Sequence, residues 1–289
     1  MTLEEFLHHP ETTRIITQGL AEDIKEGDHT SLSTIPAGTK AKARCLVKGD
    51  GILAGVAFAE QVALAVNPDF DIDIRIPDGE RVKHGDEAFY ISGEARDILQ
   101  AERLLLNAMQ RMSGIATMSR QVTDLLEGTG CKVLDTRKTT PLVRHLEKWA
   151  VAIGGGVNHR FGLYDMILIK DNHIDVAGGI GPALSAAKTY TKDKNLGIQI
   201  EIETRSLDEV QAVLDEGGAD RILLDNMNNE TLSKAVSLIG DRCATEASGG
   251  ITLETVRGVA ETGVDYVSMG ALTHSYTSLD ISLKVMIEK

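Results

Sequence analysis

Six short apolar runs, each ending on polar or small residues, mark the second half of the chain: KVLDTRK, MILIKDN, IQIEIE, RILLDN, ATEASGG and YVSMGA. Amphipathic stretches lie between them, such as SLDEVQAVLDEGG, NNETLSKAVSLIG and TLETVRGVAETG. With one marker per strand end, Glu203 to Asp225 is 22 residues, Asp225 to Ser248 is 23 and Ser248 to Gly270 is 22. A repeat that short holds one strand, one helix and tight loops, the unit of a parallel β/α barrel or doubly wound sheet. Ser206 followed by Glu209 predicts a capping box opening one helix, and Gly-Gly pairs close others. The polar residues cluster just past the apolar runs, at the carboxyl ends of the strands, where a β/α barrel holds its active site.

The first half has a different pattern. AKARCLVK and DIDIRIP alternate, and GERVKHGDEAFYISGEA reads as part of a small β-rich module. A helix is predicted around Asp97 to Met112, with Ile98, Ala101, Leu105, Ala108 and Met112 on one stripe. These patterns divide the chain into a first α+β domain over 1–116 and a barrel-like domain over 117–272. The tail, 273–289, is expected to return to the first domain.

Composition narrows the partners. A chain of 289 residues, 42% hydrophobic and 25% charged, has the make-up of a soluble globular protein of one or two domains. Its formal net charge of -13 argues against nucleic acid or an anionic membrane as partner. No apolar stretch approaches the ~20 residues of a spanning helix, and MTLEEFLHHPETT is too acidic and polar for a signal peptide. Cys45, Cys131 and Cys243 are far apart and lack metal-type pairing, which fits structural thiols in a reducing cytoplasm.

Against that acidic background, the thirty-nine residues from Asp135 to His173 hold six cations (Arg137, Lys138, Arg144, Lys148, Arg160, Lys170) and four acids. A cationic island in an anionic chain points to capture of a small, multiply charged anion. Arg144, Glu147 and Lys148 also suit a solvated, salt-bridged helix, because they sit at spacings of three and four. Arg137, Lys138 and Lys170 fit that reading poorly, since each follows a strand-like run. Glu203 and Asp225 end successive strands, so they should share one rim and could serve hydrated Mg²⁺ or pair with nearby cations. Glu201 shares a strand face with Glu203 by period two, so the choice between them stays open. Ser248-Gly249-Gly250, ahead of a helix expected near Thr252, and Gly270-Ala271 after the last strand suit a phosphate, or simply tight turns. Gly154-Gly155-Gly156 would let the backbone approach a ligand lined by Asn158, His159 and Arg160. His173 could orient a neighbour, and His8, His9 and His84 read as surface residues. Arg103 has no acidic neighbour at helical spacing and could be solvated, or reach a ligand or partner subunit.

DTRKTTPLVRHLEKWAVAIGGGVNHRFGLYDMILIKDNHI closely resembles the quinolinate phosphoribosyltransferases. So do EDIKEGDHT, AERLLLNAMQRMSGIAT, EIET, LLDNM, EASGGI and GVDYVSMGALTHS, in family order along nearly the whole chain. The resemblance implies an N-terminal α/β sandwich and a C-terminal open β/α barrel with fewer than eight strands. It implies a homodimer, or a hexamer, in which each active site borrows residues from a neighbour. The implied reaction joins quinolinate to 5-phosphoribosyl 1-pyrophosphate with Mg²⁺, giving nicotinate mononucleotide, pyrophosphate and CO2. Carried over by position, Arg137, Lys138, His159 and Arg160 would hold the quinolinate carboxylates, with Arg103 arriving from the other subunit. Thr136 and Met269 join the implied substrate-binding set. Lys170 would contact both substrates, and Glu203 and Asp225 would hold the ribosyl pyrophosphate and its metal. Ser248, Gly249, Gly250, Gly270 and Ala271 would cradle the 5-phosphate, and Lys138, Lys170, Glu203 and Asp225 form the implied catalytic group. Trp149 stands where tyrosine is common in the family. A related phosphoribosyltransferase with another acceptor, and a non-catalytic metabolite-binding protein, are the alternatives; the retained strand-end charges argue against the second.

Overall fold

A computed structural model describes residues 1–286. The chain divides into two units. The first contains 1–120, 139–155 and the segment from 272 onward; the second contains 121–138 and 156–271.

The first unit is built on an antiparallel sheet. Its long strands are β1 (Lys40–Val47) and β5 (Glu87–Glu94), with β3 (Asp71–Ile74) beside β5. A short pair, β2 (Gly51–Ile52) and β4 (Arg81–Val82), stands apart from it. The last strand, β12 (Ile281–Met286), pairs with β1, giving the order β12-β1-β5-β3. Alternation in β1 is clean: Ala43, Cys45 and Val47 are fully buried, and the residues between them face outward.

The helix expected over 97–112 runs much further, from Ala95 to Leu125. Its stripe of Ile98, Ala101, Leu105, Met109, Met112 and Ile115 is fully buried. Gly114 does not end it: a Cβ there would lie 2.3 Å from the Thr277 carbonyl oxygen, so glycine permits a close approach mid-helix.

Two readings of the cationic run are corrected here. The helix Arg144–Ile153 is not a solvated, charge-laced surface: Glu147 and Lys148 are fully buried. Glu147 accepts from Arg111 Nη1 at 2.6 Å and from the Thr140 N–H at 3.0 Å, so it ties its own unit together. Gly154 likewise serves packing, because a Cβ there would sit 2.5 Å from both Ala116 O and Ser119 Cβ. His9 is half-buried, caps the helix Pro10–Ile24 and stacks on His145 at 4.9 Å. His8 and His84 are exposed.

The second unit is an all-parallel sheet of six strands. In chain order they are β6 (Lys132–Leu134), β7 (Met166–Ile169), β8 (Gln199–Thr204), β9 (Arg221–Asp225), β10 (Ala244–Ser248) and β11 (Tyr266–Ser268). Their spatial order is β6-β11-β10-β9-β8-β7, with helices between successive strands from β7 onward. An α/β fold with an N-terminal sheet domain and a C-terminal parallel β/α sheet is therefore what the chain adopts. Ser206 caps the helix Leu207–Glu216 by accepting from the Glu209 N–H at 3.2 Å. The Glu209 carboxylate closes on the Arg205 N–H instead of the cap residue, so the expected reciprocal box is shifted by one residue.

Candidate active site

Side chains at period-two positions on neighbouring strands share one face of the sheet. On β8, Ile200 and Ile202 enter the core beneath the helices, leaving Glu201 and Glu203 for the other face. Ile222 and Leu224 do the same on β9, leaving Arg221, Leu223 and Asp225, and on β10 Thr245 and Ala247 leave Glu246 and Ser248. The register aligns Ser248 with Asp225, and both Glu246 and Glu203 with Leu223. By exposure rather than register, the carboxylates fall into an outer row, Glu203 and Asp225, and an inner row, Glu201 and Glu246, which is closed off.

A cavity of about 300 Å³ opens on this face. Thr136, Arg137, Lys138, His159, Arg160, Lys170 and Ser248 line it, so seven of the residues singled out from the sequence converge on one space. Arg137, Lys138, Arg160 and Lys170 give its wall four cations. Thr136 Oγ1 accepts from the Lys138 N–H at 3.0 Å and shapes the loop that carries both charges. Arg160 donates to the Met166 carbonyl at 3.2 Å, which anchors its guanidinium. Burial, reinforced by the neighbouring Arg137 charge, lowers the Arg160 pKa, a repulsion that an anion in the cavity would relieve. His173 does orient a neighbour: its Nδ1 accepts from the Lys170 N–H at 3.0 Å.

The outer row carries Glu203 and Asp225. Lys170 Nζ lies 3.6 Å from Glu203 Oε2. Burial raises the Glu203 pKa, Lys170 opposes that shift, and the nearby Asp225 charge adds to it. Asp225 Oδ2 accepts from Asn226 Nδ2 at 2.7 Å.

The inner row is a buried charge cluster. Glu201 is fully buried and Glu246 is 1% exposed. His159 Nε2 lies 3.0 Å from Glu201 Oε2 and 3.5 Å from Glu246 Oε2. Arg221 Nη1 donates to Glu246 Oε2 at 2.9 Å, with its guanidinium 4.5 Å above the Tyr266 ring. The Arg160 N–H donates to His159 Nδ1 at 2.7 Å, so the ring proton belongs on Nε2, directed at Glu201. The His159 main-chain N–H donates to Asp135 Oδ1, and Asn158 Nδ2 to Asp135 Oδ2, at 2.9 and 2.6 Å. Burial raises both inner carboxyl groups. Glu246, with the Glu201 charge adding to the effect, is pushed up to about 7. His159, Glu201 and Glu246 bring their ligand-type atoms within 4.8 Å of one another, a spacing a metal could bridge. Arg221 already supplies a cation to this cluster, and the His159 proton faces into it.

The glycine loops lie at the ends of the last two strands. Gly249 has φ +99° and Gly250 has φ +61°, backbone that favours glycine. A Cβ on Gly249 would meet Asn226 Oδ1 at 2.2 Å. The helix after this loop starts at Val256 rather than near Thr252, because 253–255 form a turn. Met269 is buried and donates its N–H to the Leu134 carbonyl at 3.0 Å, carrying the chain to Gly270 and Ala271, where the helix Ala271–His274 begins. Arg103, in the other unit, is exposed and has no hydrogen bond or ion pair among the described residues.

Glu246, Arg221, Ser268 and the apolar lining of Leu168 and Leu223 were missed from the sequence. The signal was available for Glu246, which precedes Ser248 by one strand period, as Glu201 precedes Glu203.

Comparison with known proteins fits this geometry. The profile of the quinolinate phosphoribosyl transferase C-terminal domain matches residues 115–284, and that of the N-terminal domain matches 28–113. A chloroplastic protein of Arabidopsis thaliana named nicotinate-nucleotide pyrophosphorylase [carboxylating] is 47% identical over 289 residues, covering 95% of this chain and 82% of that one. A Bacillus subtilis (strain 168) protein named as a probable enzyme of that kind is 40% identical, covering 97% and 96%. The crystal structure of NadC from Streptococcus pyogenes superposes with a TM-score of 0.91 at 35% identity, covering 96% of this chain and 98% of that one. By its two matched domains and its relatives along almost the whole chain, this protein belongs to the quinolinate phosphoribosyl transferase family.

Proposed function

We propose that the chain transfers the phosphoribosyl group of 5-phosphoribosyl 1-pyrophosphate to quinolinate, with decarboxylation, to give nicotinate mononucleotide, pyrophosphate and CO2. The observation that carries this reading is the single cavity with Arg137, Lys138, Arg160 and Lys170 in its wall, in a chain of net charge -13. Arginine suits bidentate carboxylate capture and lysine acts as a point charge, so the set suits a small dicarboxylate. Leu168 and Leu223 supply apolar wall for an aromatic ring. Ser248, Gly249, Gly250, Met269, Gly270 and Ala271 form the strand-end loops that receive the 5-phosphate. Lys170 lines the cavity and lies 3.6 Å from Glu203, which supports a role for it in contacting both substrates.

Catalysis is mainly electrostatic. As pyrophosphate departs, positive character develops on the ribose, so cations must meet the leaving group while carboxylates stay near the sugar. Glu203 and Asp225 fit a hydrated Mg²⁺: they lie close enough for one charge to raise the other, and the cation that offsets Glu203 is Lys170, an exposed side chain that can turn to another anion. These two residues would hold the ion, which neutralises the leaving pyrophosphate when bound. Once ribosylated, the ring nitrogen is cationic and the ring can accept the electrons released by loss of CO2.

The active assembly is a homodimer, or a hexamer of such pairs, in which Arg103 of a second copy completes the carboxylate site. Its exposure and lack of a partner among the described residues support that role. The working compartment is the cytoplasm. Cys45, Cys131 and Cys243 are free, and burial pushes the Cys45 and Cys131 thiols up to about 12, as suits inert thiols in a reducing environment. No helix among the described residues is long and apolar enough to cross a membrane.

The test is turnover of quinolinate with 5-phosphoribosyl 1-pyrophosphate and Mg²⁺, with nicotinate as parallel acceptor. Nicotinate mononucleotide and CO2 from quinolinate, with little product from nicotinate, is the expected result. Product from nicotinate alone would identify a transferase with a different acceptor.

A further inference from the structure

We propose that the Glu246 carboxyl group is the acid that returns a proton to the ring carbon from which CO2 has left. This rests on the decarboxylating transfer proposed above. That reaction breaks a C–C bond and leaves its electron pair on the ring carbon beside the ribosylated nitrogen. The product carries hydrogen there, so one group must deliver a proton within a space otherwise built for anions.

Glu246 is the one carboxyl side chain in the wall of the cavity among the described residues. The other possible donors are already occupied. His159 holds its proton on Nε2, aimed at Glu201 3.0 Å away, while its Nδ1 accepts from the Arg160 N–H. Lys170 faces Glu203, and deprotonating it or Lys138 would remove a charge the substrates need. Glu246 divides its oxygens. Oε2 takes the Arg221 guanidinium at 2.9 Å and faces His159, whereas buried Oε1 has no partner of ordinary hydrogen-bond geometry. A bare carboxylate oxygen in that position would cost free energy, and a proton on Oε1 removes the cost.

The step balances. The C–C bond to the departing carboxylate breaks, and CO2 leaves. The electron pair on the ring carbon takes the Oε1 proton, forming C–H and breaking O–H. Glu246 is left as a carboxylate whose charge Arg221 meets, and solvent water restores the proton after the product leaves. The groups facing Glu246 are Glu201 from β8, Arg221 from β9, His159 from the loop before β7 and the Ser268 hydroxyl from β11. The four cavity cations lie in the same wall. Burial and the Glu201 charge outweigh the opposing partners and push Glu246 up to about 7, so the acid form is available at neutral pH.

The experiment is Glu246→Gln, assayed with quinolinate beside the wild type across pH 6–9. Glutamine keeps an acceptor oxygen for Arg221 and His159 but has no acidic proton. The expected result is a fall in kcat of roughly 10²–10³-fold, with KM for both substrates changed less than about threefold. Wild-type kcat should decline as pH rises through about 7, and the variant should lose that limb. A variant kcat within a few-fold of wild type, or the same limb in both proteins, overturns the proposal. Should the variant fail to fold, a flat wild-type kcat from pH 6 to 9 overturns it by itself. If the wild type makes no product from quinolinate, the functional reading fails as well. Normal wild-type turnover with an unimpaired variant sinks the proton-donor role alone.

Discussion

Glu203 and Asp225 in the outer row, and Glu201 and Glu246 in the inner row, are pairs of the same chemistry on neighbouring strands of one sheet. Their partners differ. The outer pair is offset by Lys170, an exposed flexible ammonium 3.6 Å from Glu203 that can move to another anion. The inner pair is held by Arg221, a nearly buried guanidinium stacked on Tyr266, and by His159, whose two ring nitrogens are both engaged. Exposure, rather than position along a strand, therefore separates carboxylates with an exchangeable counter-charge from carboxylates with a fixed one. The first arrangement suits ligands and a metal ion that come and go; the second suits a group kept protonated for one task.

The largest effect should come from the cations above both rows. Arg137→Ala or Arg160→Ala should lower kcat/KM for quinolinate by about 10³-fold, since each removes a charge-assisted bond to a desolvated carboxylate. Thermal unfolding should stay near wild type, and near-normal turnover in either variant would remove that residue from the acceptor site.

The rows should then separate. Glu203→Gln combined with Asp225→Asn should cost about 10²-fold in kcat/KM for 5-phosphoribosyl 1-pyrophosphate and raise the Mg²⁺ requirement, with KM for quinolinate little changed. A loss confined to quinolinate would merge the two rows into one function.

Removing the fixed cation should act on stability. Arg221→Met should destabilise the protein by about 3 kcal/mol, because it leaves two buried carboxyl groups without their cation. Glu246 has a raised pKa in the fold, so its favourable contribution is complete below the ordinary carboxyl range and is lost as pH rises toward about 7. The deficit of the variant should be larger at pH 8 than at pH 5.5, and thermal melts at those two values measure it. Equal deficits would mean that the inner carboxyl groups do not titrate as described.

The smallest effect belongs to the phosphate loop. Gly249→Ala meets both the positive φ and the Asn226 contact, and should raise KM for 5-phosphoribosyl 1-pyrophosphate by about tenfold. Gly250→Ala, with open space around it, should do less.

Much of the outer row was legible in the sequence, because strand ends are marked by polar residues at a regular spacing. Arg137, Lys138, Lys170 and Ser248, picked out just past strand ends, line one cavity with His159 and Arg160 from beyond the glycine run and with Thr136, which only the family resemblance supplied. The inner row was harder to read. Glu246 sits inside ATEAS, where one acid among small residues looks like an ordinary strand position until the face it shares with Glu201 is known. Arg221 opens its strand, where a cation usually faces water. The cationic run also misled: Arg144, Glu147 and Lys148 have the spacing of a surface helix, yet that helix buries Glu147 and Lys148 through contacts that sequence spacing does not encode. Gly154 looked like a ligand approach and is a helix contact for the same reason.

The most direct test of the two-row arrangement is a crystal structure of the protein with quinolinate bound. The expected result places both carboxylates on Arg137, Lys138 and Arg160, with the ring carbon that loses CO2 turned toward Glu246 Oε1 at about 3–3.5 Å. A ring turned away from Glu246, or carboxylates bound outside the four cavity cations, would contradict it.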